Sequence, residues 1–470
     1  MSNQYDVCII GAGPGGIFTA LELLEKNPNL KIVMLDKGKP IDQRERSGVG
    51  LTCGWAGAGG FSDGKVIAAN PEHNYGGEIQ KYIKDYNYFK LLSKRVLDIH
   101  LSFANGENIP LIGERNEAIN KFELDVARNG MQLLLGQTLH IGTDRNYVIM
   151  KNIYDFLKNK VEIIFESEVR DFEKTNNGFE VFVKTRFSTP EEHIVDCKYL
   201  VMMPGRSGNK WFETLAKKHG IAIVANRIDI GLRVEFPEWI MRQATDLVYE
   251  PKVIVTTSND TKVRTFCVNP KGFCVAEAIK DQNGQNIWTA NGHSNSEHGK
   301  QSDNTNMALL ASAEFTKPFN EPNTYGLSIA RLCNLLAGVE DGNNGILVQR
   351  LKDLKENRRS TDKRMTEMDI QPTLKSTPGD LSYAYPAKQL NALVESISIL
   401  DRIFPGLDSR NTLLYGPEIK WFSARIELNT RLESEINGMF VGGDTGCSRG
   451  IMQAAMSGLV IANGIIEKMR

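Results

Sequence analysis

Three glycines and one acid carry the first recognisable chemistry in this chain: Gly11, Gly13, Gly16 and Asp36. They stand in "YDVCIIGAGPGGIFTALELLEKNPNLKIVMLDKG". There an apolar run over residues 5–10 reads as a strand, and Ile17, Ala20, Leu21 and Leu24 recur at helical spacing. A G-x-G-x-x-G at a strand-to-helix turn suits a phosphate. The first glycine permits the tight turn, the second lets the backbone approach a pyrophosphate, and the third lets helix and strand pack closely. The helix start adds free N–H groups and the positive end of its dipole. A second strand over residues 31–35 ends at Asp36, where a carboxylate is placed to accept from the hydroxyls of an adenosine ribose. A lone glycine motif would be weak, but strand, glycines, helix, strand and acid in register point to a dinucleotide.

Which dinucleotide is bound depends on the next loop, "GLTCGWAGAGGFSDGK", residues 50–65. Flavin-dependent disulfide reductases carry a CxxxxC pair after the second strand. Here Cys53 is present and the position five residues on is Ala58, so the dithiol is missing. Cys53 then reads either as a buried structural thiol, the commoner state of a free cysteine, or as a lone redox or flavin-linking thiol. Gly57, Gly59 and Gly60, followed by Phe61, Ser62, Asp63, Gly64 and Lys65, let main-chain N–H groups converge on a phosphate or a flavin edge, with a cation nearby.

The segments "GAGPGG", "LDKG", "GGFSDGK", "HIGTD", "MPGRSG", "RTFCVNPKG", "NGHS", "YGPE" and "GGDTGCSRGIMQAAMSGL" follow one another along the chain. In that order the sequence, from about residue 5 to 465, resembles the FAD-dependent dehydrogenases of bacteria and archaea, flavoproteins with a glutathione-reductase-like FAD domain. The resemblance implies non-covalent FAD held by Gly11, Gly13, Pro14, Gly15, Gly16, Asp36, Lys37, Ser62, Asp63, Gly64 and Lys65. Further along the chain it implies the backbone of Val169 against the adenine, the loop at Gly205 beside the dinucleotide, Asp444 on the ribityl or pyrophosphate part, and Gly450, Ile451 and Met452 at the flavin pyrimidine ring. Arg449 reads either as a second source of positive charge there or as a solvent-exposed residue of the first helical turn.

Around these motifs the chain reads as α/β, with a discontinuous Rossmann-like FAD-binding domain over residues 1–85, 145–225 and 430–470. "VEIIFESEVRDFEK" and "GFEVFVKT" alternate as a hairpin, and "HIVDCKYLVMM" returns to the sheet. Residues 86–144 and 226–429 read as a substrate or cap domain. Segments such as "RIDIGLRVEF" and "KVRTFCVNP" alternate without βαβ signals, predicting an inserted, mainly antiparallel β (α+β) domain. "RLKDLKENRRSTDKRMTEMD" interleaves acids with bases and reads as a solvated helix or loop, with Asp353 exposed. A second G-x-G-x-x-G, the mark of a dedicated NAD(P)H domain, is absent.

Composition narrows the remaining classes. At 470 residues, 41% hydrophobic and 24% charged, the chain is globular and too long for one ordinary core. A formal net charge of -1 gives no electrostatic reason for nucleic acid or an anionic membrane as partner. Seven cysteines without a CxxC or Cys/His cluster indicate neither a metal site nor a secreted disulfide framework, which suggests a reducing, cytoplasmic setting. The reading is an FAD-dependent oxidoreductase that passes a hydride between flavin N5 and a small organic substrate, with NAD(P)H as a candidate transient electron donor. Lys65, His140 and Glu418 are the candidate catalytic groups. A flavin monooxygenase, or a non-catalytic FAD protein such as a redox sensor or assembly factor, is the alternative.

Overall fold

A computed structural model of the chain describes residues 4–44, 52–61, 65–68, 78–109, 111–185, 191–224, 227–248, 250–280, 285–293, 301–313, 315–316, 319, 321–421, 425–446 and 448–470. The chain divides into two compact units. One comprises residues 1–112, 136–224 and 423–470, the other residues 113–135 and 225–422.

The first unit is built on a parallel sheet. Strand β1 (Tyr5–Ile10) pairs in parallel with β2 (Ile32–Leu35) on one side and with β3 (Glu192–Met202) on the other. The strand Glu162–Ile164 extends the sheet beyond β2. The far half of β3 pairs in parallel with β4 (Met439–Val441), and its near half pairs with the antiparallel hairpin Ser167–Thr175 and Gly178–Thr185. Helix α1 (Pro14–Lys26) leaves β1 through Gly13, with proline in its first turn, where the missing N–H costs nothing. Its apolar side packs with α4 (Ile451–Met469) and with α2 (Tyr86–Ser102) and α3 (Thr143–Leu157) in one core that includes Ile9, Phe18, Trp55, Phe89 and Leu459.

The second unit carries an eight-stranded sheet. The strands Leu347–Arg350, Leu413–Lys420, Ile228–Pro237, Asn304–Ala313, Lys262–Asn269 and Lys252–Thr256 are successive antiparallel neighbours within it. The central strand Ile228–Pro237 alternates as its sequence predicts. Ile228, Ile230, Leu232, Val234 and Phe236 enter the apolar core on one face, while Asp229, Arg233 and Glu235 are buried polar groups on the other.

Two expectations change. The segment 86–144 does not pass as a whole to the second unit: only residues 113–135 do. The reason is α2, whose Phe89, Leu92, Val96 and Ile99 are buried in the core of the first unit. The basic-looking segment forms two short helices, Leu351–Lys355 and Asp362–Met365, and Asp353 is fully buried. Its carboxylate accepts from Arg358 Nε and Ser360 Oγ, both at 2.8 Å, so the interleaved charges close on one another.

Candidate functional site

The carboxyl ends of the parallel strands open into a cavity of about 370 Å³, whose lining lies wholly in the first unit. After β1 the chain turns at Gly11 with φ +105°, and a Cβ there would meet Met203 O at 2.1 Å. A Cβ on Gly16 would meet Gly11 O at 2.0 Å, so this residue serves the packing of α1 and does not line the cavity. At Gly13 a Cβ would meet nothing within 4 Å, and Gly205 and Gly450 are open in the same way. All three line the cavity, together with Pro14, Gly15 and Ile451. The three fingerprint glycines thus differ in their surroundings: Gly11 turns the chain, Gly16 packs α1, and Gly13 borders the cavity.

Asp36 is a three-way clamp. Its Oδ2 accepts from the N–H of Ala12, and its Oδ1 accepts from the N–H groups of Gly38 and Gly54, each at 2.8 Å. It ties the first βα turn to the loop at Cys53 before any ligand arrives. A carboxylate has roughly four lone-pair sites, which leaves room for one ligand hydroxyl, fewer than its position at the end of β2 suggested. The loop is held from behind as well. Trp55 Nε1 donates to Met150 O at 2.8 Å, and the buried Asn146 donates to Gly59 O at 2.7 Å, both partners lying on α3. Cys53 lines the cavity with its Sγ 3.4 Å from Ser207 Oγ, and every described cysteine is a free thiol.

Lys37 lines the cavity and donates from Nζ to Ser207 O at 3.3 Å. Residues 167–169, Val169 among them, also line the cavity. Beyond β4, Gly443 N donates to Ser457 Oγ at 2.9 Å, which sets Asp444 at the cavity. Its carboxylate lies between Arg206 Nε at 3.9 Å and Arg449 Nε at 3.8 Å. Arg449 is therefore a half-buried partner of Asp444. Met452 is a correction: it points away from the cavity into the core, 3% exposed, and its Sδ accepts from Ser93 Oγ at 3.8 Å. Met452 stands one residue past the start of α4, so its side chain is turned about 100° from that of Ile451, and here that direction is inward.

Of the candidate catalytic groups, Lys65 and His140 face each other in register on paired antiparallel strands, but their side chains, like residues Ser62, Asp63 and Gly64, lie outside the described residues. Glu418 belongs to the second unit and is taken up by a buried ion pair. Both its oxygens accept from Arg233, at 2.9 and 3.0 Å, and Arg233 is fully buried. Burial raises the Glu418 pKa, partly offset by the Arg233 charge. Burial alone would lower that of Arg233, yet the facing carboxylate raises it above its ordinary value. Arg233 was passed over in the sequence, although a lone charge inside the apolar run "GLRVEF" is a signal of a paired buried ion.

The cavity fits a dinucleotide. Open glycines leave space for a pyrophosphate at the uncapped start of α1, and the lining residue Trp211 has a buried Nε1 donor with no hydrogen-bond partner among the described residues. The lining carries Asp36, Glu168 and Asp444 against Lys37 and Arg206, so an anion depends on the helix starts as well as on side chains. No group of three or more His, Cys, Asp or Glu placed to hold a metal occurs among the described residues, and no described helix is long and apolar enough to cross a membrane.

Parallel sheet, glycine fingerprint and cavity define the class, a dinucleotide-binding α/β fold. In the second unit, residues 228–420 match the family described as "FAD-dependent protein, C-terminal domain-like". An uncharacterised protein of Clostridium beijerinckii is 26% identical over 487 residues, covering 98% of this chain and 80% of that protein. A probable malate:quinone oxidoreductase of Prochlorococcus marinus is 27% identical over 216 residues, 37% of this chain and 42% of that protein. Among solved structures, E. coli quinol fumarate reductase FrdA aligns at a TM-score of 0.46 and 12% identity over 100% of this chain and 71% of its own.

Proposed function

We propose that the protein is an FAD-dependent oxidoreductase that exchanges a hydride between the flavin N5 and a small organic substrate. The observation that carries the reading is the cavity at the carboxyl ends of the parallel strands, lined by Gly13, Gly205 and Gly450 with open space before each. FAD, bound non-covalently, supplies the two-electron chemistry. The chain's own residues hold and tune it. Gly13, Pro14 and Gly15 present the start of α1 to the pyrophosphate, and Asp36 and Lys37 face the adenosine part. The uncapped start of α4 at Gly450 favours negative charge nearby by roughly 0.3–2 kcal/mol. Asp36, through Gly54, fixes the loop that carries Cys53 and Gly57.

Anaerobic mixing of the holoprotein with a panel of organic acids, amines and reduced nicotinamides, followed by flavin absorbance, tests this directly. Rapid bleaching by one compound supports the reading and names the substrate or donor class. Bleaching by a reduced nicotinamide alone, followed on admission of oxygen by hydroxylation of an organic compound of the panel, would replace it with a monooxygenase. Bleaching by none of them, with FAD bound, would favour a non-catalytic role.

A further inference from the structure

Trp211 is the one aromatic side chain on the cavity wall among the described residues. It stands near the start of the helix Asn209–Lys218, and its Nε1 is buried with no hydrogen-bond partner among the described residues. An indole nitrogen only donates, and buried donors in folded proteins are almost always paired. Because Trp211 lines the cavity, a ligand there is placed to supply the acceptor.

The contacts around the cavity show which part of a ligand that is. At one end the glycine segments close on one another. A Cβ on Gly57 would come 3.2 Å from Gly13 Cα, and one on Gly59 would come 3.2 Å from both Pro14 and Ile451. The other end is tied together by Lys37 Nζ donating to Ser207 O, by Cys53 Sγ beside Ser207 Oγ, and by Ser167 N donating to Asp36 O at 2.9 Å. Trp211 follows Ser207 by four residues and packs against the apolar cluster that contains Val169. A pyrophosphate at the start of α1 puts the ribose at Asp36 and the base at this second end. Purines present ring nitrogens as acceptors, the chemistry an unpaired indole N–H requires.

On the reading that FAD fills the cavity, we propose that Trp211 donates its indole N–H to the adenosine half of the cofactor and so sets the chain's preference for a dinucleotide. Trp211→Phe keeps an aromatic ring in place and deletes the donor. The test titrates flavin-free protein with ADP and, separately, with FAD by calorimetry, and measures urea unfolding of the same ligand-free samples. Both dissociation constants should rise about tenfold, the size of one ordinary hydrogen bond, while the urea midpoint of the ligand-free protein stays at the parent value. Unchanged ADP affinity overturns the assignment, and so does a loss of ADP affinity accompanied by a lowered midpoint, which would make Trp211 a packing residue. A parent protein that binds neither ADP nor FAD overturns the FAD reading itself.

Discussion

Asp444 is held by two arginines at nearly equal distance, and that pairing makes its role measurable. If the carboxylate accepts from a hydroxyl of FAD, Asp444→Ala should weaken FAD retention by about tenfold or more, from a bond of roughly 1–3 kcal/mol. Fluorescence titration of the dialysed variant measures it, with exposed Glu340→Ala as the control. Tighter binding would mean that Asp444 only neutralises Arg206 and Arg449. Cys53 gives a second test. It lines the cavity beside Ser207 but lacks a thiol mate, so Cys53→Ser should leave the rate of flavin reduction within a few-fold of the parent. A hundredfold loss, roughly 2.7 kcal/mol in the barrier, would assign the thiol a chemical role. At this scale backbone requirements were legible in the sequence and side-chain directions were not. Gly11 and Gly16 answer to steric limits fixed by the strand-to-helix turn. Met452 and Asp36 depend on what packs behind them, the core for one and three backbone donors for the other.

Between elements, the closest constraint is the crossing of α1 and α4. A Cβ on Gly458 would lie 2.4 Å from Gly15 O and 2.9 Å from Thr19 N, backbone atoms that cannot turn aside. Gly458→Ala should separate the helices and cost about 1–3 kcal/mol in urea unfolding. Because Gly15 lines the cavity, FAD affinity should fall with stability, whereas a purely local effect would leave affinity intact. The small residues on one face of α4 permit this close approach. The neighbouring α2 was misassigned, because amphipathic spacing shows that a face is buried but not against which partner. His100 on α2 adds a pH dependence. Its ring is fully buried, with Nδ1 near Val96 O at 2.8 Å, and burial lowers its pKa from 6.5 to about 4. The unfolded chain then binds the proton more strongly than the folded one. This contribution to stability is complete above pH 6.5 and is lost as pH falls from 6.5 towards 4, in all on the order of 3 kcal/mol. Urea midpoints at pH 7 and pH 5 should differ less in His100→Phe than in the parent; equal differences would remove His100 as the cause.

For the molecule as a whole, two buried charge arrangements lie in two different units, and they answer to different physics. The cavity of the first unit keeps its charges at the lining, where a ligand meets them. The Arg233–Glu418 pair of the second lies inside a sheet, with Arg233 also donating to Cys267 O at 2.9 Å and to Asn291 Oδ1 at 3.0 Å. The division into a parallel nucleotide-binding unit and an antiparallel one was readable from strand alternation and the glycine fingerprint. The partner of Glu418 was not, because Arg233 and Glu418 stand 185 positions apart and meet only through the pairing of the strands Ile228–Pro237 and Leu413–Lys420. A buried ion is costly mainly when left alone. Arg233→Met should therefore destabilise the protein by about 3–5 kcal/mol, while Arg233→Met with Glu418→Leu should recover much of that loss. The FAD dissociation constant of the folded double variant should stay within about threefold of the parent, since no cavity residue is altered. Its rate of flavin reduction by substrate then decides the role of Glu418. A parental rate in the stable double variant makes the pair architectural, and a collapse of the rate with FAD still bound returns Glu418 to the catalytic groups.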